Sequence, residues 1–244
     1  MNIEKTVVMI SGGAIRLGKY QALYLAKRGA DIAFSYLPGE PWEETLKEIR
    51  AEGVRAAATE LDLRDTAAVQ SWVRNTSEEF GHIDVLINSA SVWLKKPVLD
   101  ISETEYDMAV DINMKAPFFL SQSVARVMKD QGSGVIINIT DCSAFQVWPE
   151  YTPHGASKAG LVSMTKYMAW ELAPEVRVNA IAPGTVLLPP NYTPEVEQWA
   201  KDMSVMGRIG HPEDIARTSA FIIESDYATG AVYYMDGGMR LIAR

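Results

Sequence analysis

Cysteine occurs once in the 244 residues, at Cys142, and histidine only three times. One thiol excludes an internal disulfide and a thiolate metal cluster, and His82, His154 and His211 are too widely spaced to read as a ligand pair, so no metal site is expected. Cys142 itself reads as a small buried residue rather than a nucleophile, and His82 and His211 as structural or solvated. Long apolar runs are also missing, the longest falling short of a bilayer span. The opening Met1-Asn2-Ile3-Glu4-Lys5 lacks the basic region and apolar stretch of a secretory signal, so a cytoplasmic location is expected. Positive charge is in deficit, 23 Lys and Arg against 31 Asp and Glu for a net charge of -8. With no block of consecutive Lys or Arg to offset that field, neither nucleic acid nor membrane is an expected partner. No linker, repeat or low-complexity tract interrupts the chain, which reads as one domain over 1-244 with an ordinary 48% of hydrophobic residues.

What is present is an alternation. Short β-branched runs at Thr6 to Ile10, Ile32 to Tyr36, Val54 to Thr59, Ile83 to Ile87, Val135 to Ile139, Val176 to Ile181 and Ala231 to Met235 predict strands. Segments of helical period fall between them, at Leu17 to Arg28, Trp42 to Glu52, and near 66-79, 103-130, 155-173 and 212-224. Strands as continuously apolar as Val135-Ile136-Ile137-Asn138-Ile139 suit a parallel sheet covered on both faces. The expected fold class is α/β: a doubly wound parallel sheet of about seven strands with helices on both faces. The Pro-rich stretch from Pro183 to Pro194, with a short helix at 195-203, reads as a substrate loop or lid over 187-205.

Ser11-Gly12-Gly13-Ala14-Ile15-Arg16-Leu17-Gly18 leaves the first strand and enters a helix, the context in which such a turn cradles a pyrophosphate. Gly12 permits the tight turn, Gly18 lets helix and sheet approach, and the amides and helix dipole face the phosphates. At the end of the second strand, Phe34-Ser35-Tyr36-Leu37 has no acid to hold a ribose 2'-hydroxyl, and Arg16 with Ser35 is placed to meet a 2'-phosphate. NADPH is therefore the favoured cofactor, with NADH as the alternative.

Together with that turn, Leu61-Asp62-Leu63, Asn88-Ser89-Ala90, Asn113 and Asn179-Ala180-Ile181-Ala182-Pro183-Gly184 make the chain resemble the short-chain dehydrogenase/reductase family, and Asp236-Gly237-Gly238 fits as well. The resemblance implies an adenine contact for Asp62 and its neighbour Leu63, an adenosine side formed by Asn88, Ser89 and Ala90, a proton-relay water on Asn113, and a nicotinamide site at Pro183, Gly184 and Thr185. Lys158 matches the family lysine that holds the nicotinamide ribose. Four residues earlier, where the family has a tyrosine on the same helical face, stands His154, and Asp141 occupies the place of the family serine. Tyr151 is a weaker substitute, since it precedes the expected helix start and Pro153 intervenes. Family members usually form tetramers, through contacts expected at the last helix and the strand Ala231 to Met235.

A narrower resemblance, to pteridine reductases including dihydromonapterin reductases, rests on Arg16 at the middle-glycine position, on Asp141, on Ser91-Val92-Trp93-Leu94-Lys95-Lys96-Pro97 and on the basic ending. It implies a pterin stacked on Trp93, with Arg16, Ser91, Asp141 and His154 around it and Arg240 or Arg244 reaching a neighbouring subunit. The principal expectation is hydride transfer from NADPH to a dihydropterin, with His154 and Asp141 handling protons. An unperturbed imidazole titrates near ~6.5 and so suits a general acid at neutral pH. Two alternatives stay open: a reductase of ketones or 3-oxoacyl thioesters, and a catalytically impaired dinucleotide- or pterin-binding protein.

Overall fold

The computed structural model describes residues 1–242; Arg244, one of the two tail arginines anticipated at a partner's pocket, lies outside the described residues. Seven strands, β1 (Val7–Ser11), β2 (Asp31–Tyr36), β3 (Ala56–Glu60), β4 (Val85–Asn88), β5 (Gly134–Ile139), β6 (Val176–Pro183) and β7 (Val232–Met235), form one parallel sheet in the order β3-β2-β1-β4-β5-β6-β7. The helices are α1 (Arg16–Ala26), α2 (Trp42–Ala51), α3 (Thr66–Phe80), α4 (Glu103–Val110), α5 (Ala116–Gln131), α6 (Thr152–Leu172), α7 (Pro194–Asp202) and α8 (Pro212–Glu224).

The period of two within each strand sorts the core into two layers. Val8, Ile10, Ile32, Phe34, Val85 and Ile87 face one side, where Ala22 and Leu25 of α1, Ile49 of α2 and Ile215 and Ile222 of α8 cover them. Val7, Met9, Leu86 and Ile136 face the other, under Trp72 and Val73 of α3, Leu120 and Val124 of α5 and Met168 of α6. Each such aliphatic side chain, removed wholly from water, contributes roughly 1.5–3 kcal/mol, which explains why polar residues are scarce in the central strands. The connection order reverses between β1 and β4, and in a sheet of this kind the crevice at the carboxyl ends of those strands is the ligand site. Ser11, Asn88, Ile139 and Pro183 end β1, β4, β5 and β6.

Two helix boundaries differ from the sequence reading. The single helix expected over 103-130 is α4 and α5 joined by one π-turn, Asp111–Lys115. A π-turn widens the coil by a residue, and here it carries Asn113 inward to full burial. The helix expected from 155 begins at Thr152, because Pro153 falls in its first turn, where no amide hydrogen bond is lost. His154 therefore lies inside α6, and Tyr151 sits at its cap. Among the described residues no helix is long and apolar enough to cross a membrane.

Candidate functional site

The site grows from the turn after β1. Gly12 has φ +66°, which its lack of a Cβ makes cheap, and an added Cβ would press on Ala90 at 3.0 Å. A Cβ on Gly18 would overlap the carbonyl of Gly12, so α1 is brought against the turn as closely as backbone allows. Arg16 holds φ +49° at the position where the family resemblance has glycine, a backbone that costs a non-glycine residue about 1–2 kcal/mol. The helix start, Ile15, makes no side-chain cap, leaving the first-turn amides of Arg16, Leu17 and Gly18 free for an anion.

Several residues expected at a cofactor also have partners within the scaffold. Ser11 Oγ accepts from the amides of Ser89 (3.0 Å) and Ala90 (3.2 Å), tying β1 to the loop after β4. Ser35 is buried and its Oγ accepts the Gly12 amide at 3.2 Å, tying β2 to the turn. Asn88 points inward, donating to Ser121 Oγ (2.9 Å) and Asn138 Oδ1 (2.8 Å), because β4 lies between two covered faces. Ser89 Oγ accepts from Gln21 at 3.4 Å. The Asp62 carboxylate is gripped by the Arg64 guanidinium at 2.5 Å, which lowers its pKa, while Leu63 is buried in the core.

One residue that the sequence reading missed lies at the end of β2. The chain turns back over 37-40, Glu40 N donating to Leu37 O at 3.1 Å, and the Glu40 carboxylate accepts the Leu37 amide at 3.0 Å. The strand end judged to lack an acid has one, delivered by a Pro38-Gly39 turn that no strand-register count reveals. Tyr36 stacks on Trp42 beside it, ring centroids 4.9 Å apart. Arg16, the other candidate for a 2'-phosphate, extends to the carbonyl of Leu188 in the loop before α7, at 3.4 Å.

The reactive end is brought together as anticipated: Asp141, His154, Lys158, Asn113 and Ser91 converge. His154 is 2% exposed. Its Nδ1 lies 3.1 Å from the Val92 carbonyl and 3.4 Å from Asn113 Nδ2; since Asn113 gives its two hydrogens to Val92 O and Ser157 Oγ and the carbonyl only accepts, Nδ1 carries the hydrogen and Nε2 is the atom left for chemistry. Nε2 is buried with no hydrogen-bond partner, and Asp141 Oδ2 stands 3.8 Å away. Asp141 Oδ1 accepts the Ser143 amide at 2.7 Å, so one oxygen caps a turn and the other faces the imidazole. Asn113 accepts from Val92 N (2.9 Å) and Ser91 Oγ (3.0 Å) and donates to Val92 O (3.0 Å) and Ser157 Oγ (3.1 Å). Ser157, absent from the anticipated set, returns a bond to the His154 carbonyl at 2.8 Å. Ser91 thus braces Asn113.

Lys158 is 3% exposed, and its ammonium donates one bond, to Ile139 O at 2.9 Å, leaving two N–H groups for a ligand. Burial brings its pKa down to about 8, against an opposing pull from the Asp141 carboxylate. Cys142 is buried, and desolvation with the nearby Asp141 and Asp236 carboxylates raises its thiol pKa, consistent with an inert residue. Trp93 lies flat over His154, with Trp148 and Tyr151 against its edges.

Pro183, Gly184 and Thr185 leave β6 at the mouth of a cavity of about 360 Å³, lined by Thr185, Val186, Ala200, Met206 and Gly237 among others, between α7 and β7. Arg240, anticipated at a neighbouring subunit, is turned inward: its guanidinium pairs with Asp236 at 3.2 Å and covers the Tyr234 ring at 3.9 Å.

A dinucleotide fits what is present: uncapped first-turn amides for its phosphates, a cradle that a Cβ at Gly12 or Gly18 would fill, and a buried ammonium with spare donors for ribose hydroxyls. A family profile described as enoyl-(acyl carrier protein) reductase matches residues 13–240. The chain is 34% identical over 251 residues to the (2S)-[(R)-hydroxy(phenyl)methyl]succinyl-CoA dehydrogenase subunit BbsD of Thauera aromatica, covering 100% of both chains. It is 31% identical to the 3-oxoacyl-[acyl-carrier-protein] reductase FabG of Thermotoga maritima, over 98% of this chain and 99% of that one. A 7α-hydroxysteroid dehydrogenase solved with NADH and 7-oxo glycochenodeoxycholic acid superposes with a TM-score of 0.92 at 29% identity, covering 97% of this chain and 96% of that one.

Proposed function

The chain belongs to the short-chain dehydrogenase/reductase family of NAD(P)H-dependent oxidoreductases, and from that premise we propose that it reduces the carbonyl of a ketone or 3-oxoacyl thioester, with His154 as the proton donor. The observation that carries this reading is the buried, unpartnered Nε2 of His154, set one helical turn before Lys158 and facing Asp141. A bound dinucleotide supplies the hydride that adds to the carbonyl carbon.

The chain's own groups handle the charge that follows. As the carbonyl oxygen becomes an alkoxide it needs a proton, and an imidazolium whose Nδ1–H is held by Val92 O delivers it from Nε2. Asp141 Oδ2 stands 3.8 Å from that nitrogen, and Lys158 orients the ribose beneath. Asn113 fixes Val92 from both sides and so fixes the acceptor that sets the tautomer.

Two earlier expectations are revised. The pterin reading loses support because none of the relatives named above is a pterin reductase. The relatives named above act on acyl thioesters and a hydroxysteroid, which supports the carbonyl alternative. For the cofactor, Glu40 at the end of β2 favours NADH over NADPH, since a carboxylate accepts from a 2'-hydroxyl and repels a 2'-phosphate.

The test is His154→Ala assayed with NADH and acetoacetyl-CoA. Loss of a general acid lowers kcat roughly 10²- to 10⁴-fold with the Kd for NADH unchanged. Unchanged turnover would remove His154 from the chemistry, and turnover of dihydrobiopterin but not of acetoacetyl-CoA by the wild type would restore the pterin reading.

A further inference from the structure

Trp93 is 58% exposed, an unusual setting for so large an apolar side chain, yet one face of its indole is fully committed. That face covers the His154 imidazole, with ring centroids 5.1 Å apart and planes 17° from parallel. We propose that Trp93 is a positioning residue for the proton on His154: the indole and the carbonyl of its neighbour Val92 clamp the imidazole so that only Nε2 reaches the substrate oxygen. The proposal rests on the reading of His154 as proton donor.

The clamp follows from adjacent residues acting at right angles. Val92 holds the ring by its edge, Nδ1 lying 3.1 Å from the carbonyl oxygen, and Trp93 holds it by its face. The torsion that turns an imidazole has a broad, roughly two-fold profile, so an edge contact alone leaves rocking about the Nδ1–H bond unrestrained. A flat cover removes that freedom. Trp93 is itself braced, edge-on by Tyr151 at 5.4 Å and by the tilted ring of Trp148 at 5.8 Å. The segment bearing both residues is anchored by Asn113, whose amide takes Val92 N and gives to Val92 O. The charged groups around the ring are Asp141 from the loop after β5 and Lys158 from α6, while Lys95 and Glu150 beside the aromatic cluster pair with each other at 3.5 Å. The indole carries no charge and acts on the orientation of the ring.

The test uses Trp93→Ala and Trp93→Phe in the full chain. ¹⁵N NMR of the neutral His154 ring reads the tautomer without cofactor, and kcat, KM and the Kd for NADH are measured with acetoacetyl-CoA. The wild type and W93F are expected to show one tautomer, protonated at Nδ1. W93A is expected to show averaged ring nitrogens and a kcat at least tenfold lower, with the Kd for NADH unchanged. A W93A protein that keeps the single tautomer and changes only KM overturns the proposal and makes Trp93 a platform for substrate. Averaged nitrogens with unchanged kcat overturn it by another route, through the reading of His154 itself.

Discussion

Replacing Lys158 by methionine exchanges a buried ammonium for an apolar chain of similar length, and the structure sets the size of the effect. Burial lowers the Lys158 pKa from the usual 10.5 to about 8, which at 1.36 kcal/mol per pH unit is a penalty of about 3 kcal/mol on the folded state at neutral pH. The substitution also strands the carbonyl of Ile139, the one acceptor of the ammonium, returning about 1 kcal/mol. K158M is therefore expected to be about 2 kcal/mol more stable than the wild type at pH 7 without cofactor, raising Tm by roughly 4–8 °C.

The pH dependence has a definite sign. The unfolded lysine takes its proton as pH falls through 10.5 and the folded one only near 8, so between these values the unfolded chain binds more protons. Wild-type stability then rises with pH across the 8 to 10.5 window, and the penalty is complete and constant below 8. The advantage of K158M should accordingly be full at pH 7 and reverse by about pH 10.5, where only the lost bond to Ile139 O remains. Denaturant unfolding of both proteins at pH 7 and 10, followed by circular dichroism, measures it. NADH should stabilise the wild type but much less the variant. A K158M protein no more stable at pH 7, or an advantage that does not change with pH, would refute the reasoning.

Glu40→Gln removes the carboxylate folded against the end of β2. Wild-type protein should bind NADH at least tenfold more tightly than NADPH by fluorescence titration, and E40Q should narrow that ratio about tenfold, or 1.4 kcal/mol; an unchanged ratio would remove Glu40 from cofactor choice. Gly18→Ala sets a Cβ against backbone, 2.9 Å from the Gly12 carbonyl carbon and 3.0 Å from Gly13 Cα, where no side chain is available to yield. Its affinity for NADH should fall a hundredfold or more with the sheet intact by circular dichroism, whereas near-normal binding would show that the turn tolerates a looser approach.

The strands were legible because burial on both faces of a parallel sheet demands unbroken apolar runs, and Val7 to Ile10, Val85 to Ile87 and Val135 to Ile137 supply them. Gly12 and Gly18 were legible because a positive φ at one and close backbone approach at the other favour a residue without a Cβ. His154 and Lys158 were legible as a pair, since the helical period alone puts residues four apart on one face. The division of the long helix at Asp111–Lys115 was not, because a π-turn changes hydrogen bonding without leaving a composition signal.

The sequence by itself thus determined the class of fold, the glycine turn after β1 and the shared helical face of His154 and Lys158, all of which depend on neighbours in the chain or on a local period. Only the tertiary structure decided which polar groups meet. Ser35, Asn88, Asp62 and Ser91 each take a partner inside the chain while Asn88 Oδ1 stays unpartnered, Arg16 reaches a loop 172 residues on, and Glu40 is returned to the strand end by a turn. The partner each group meets across the sheet or the loop is set by three-dimensional packing, which a linear pattern does not encode.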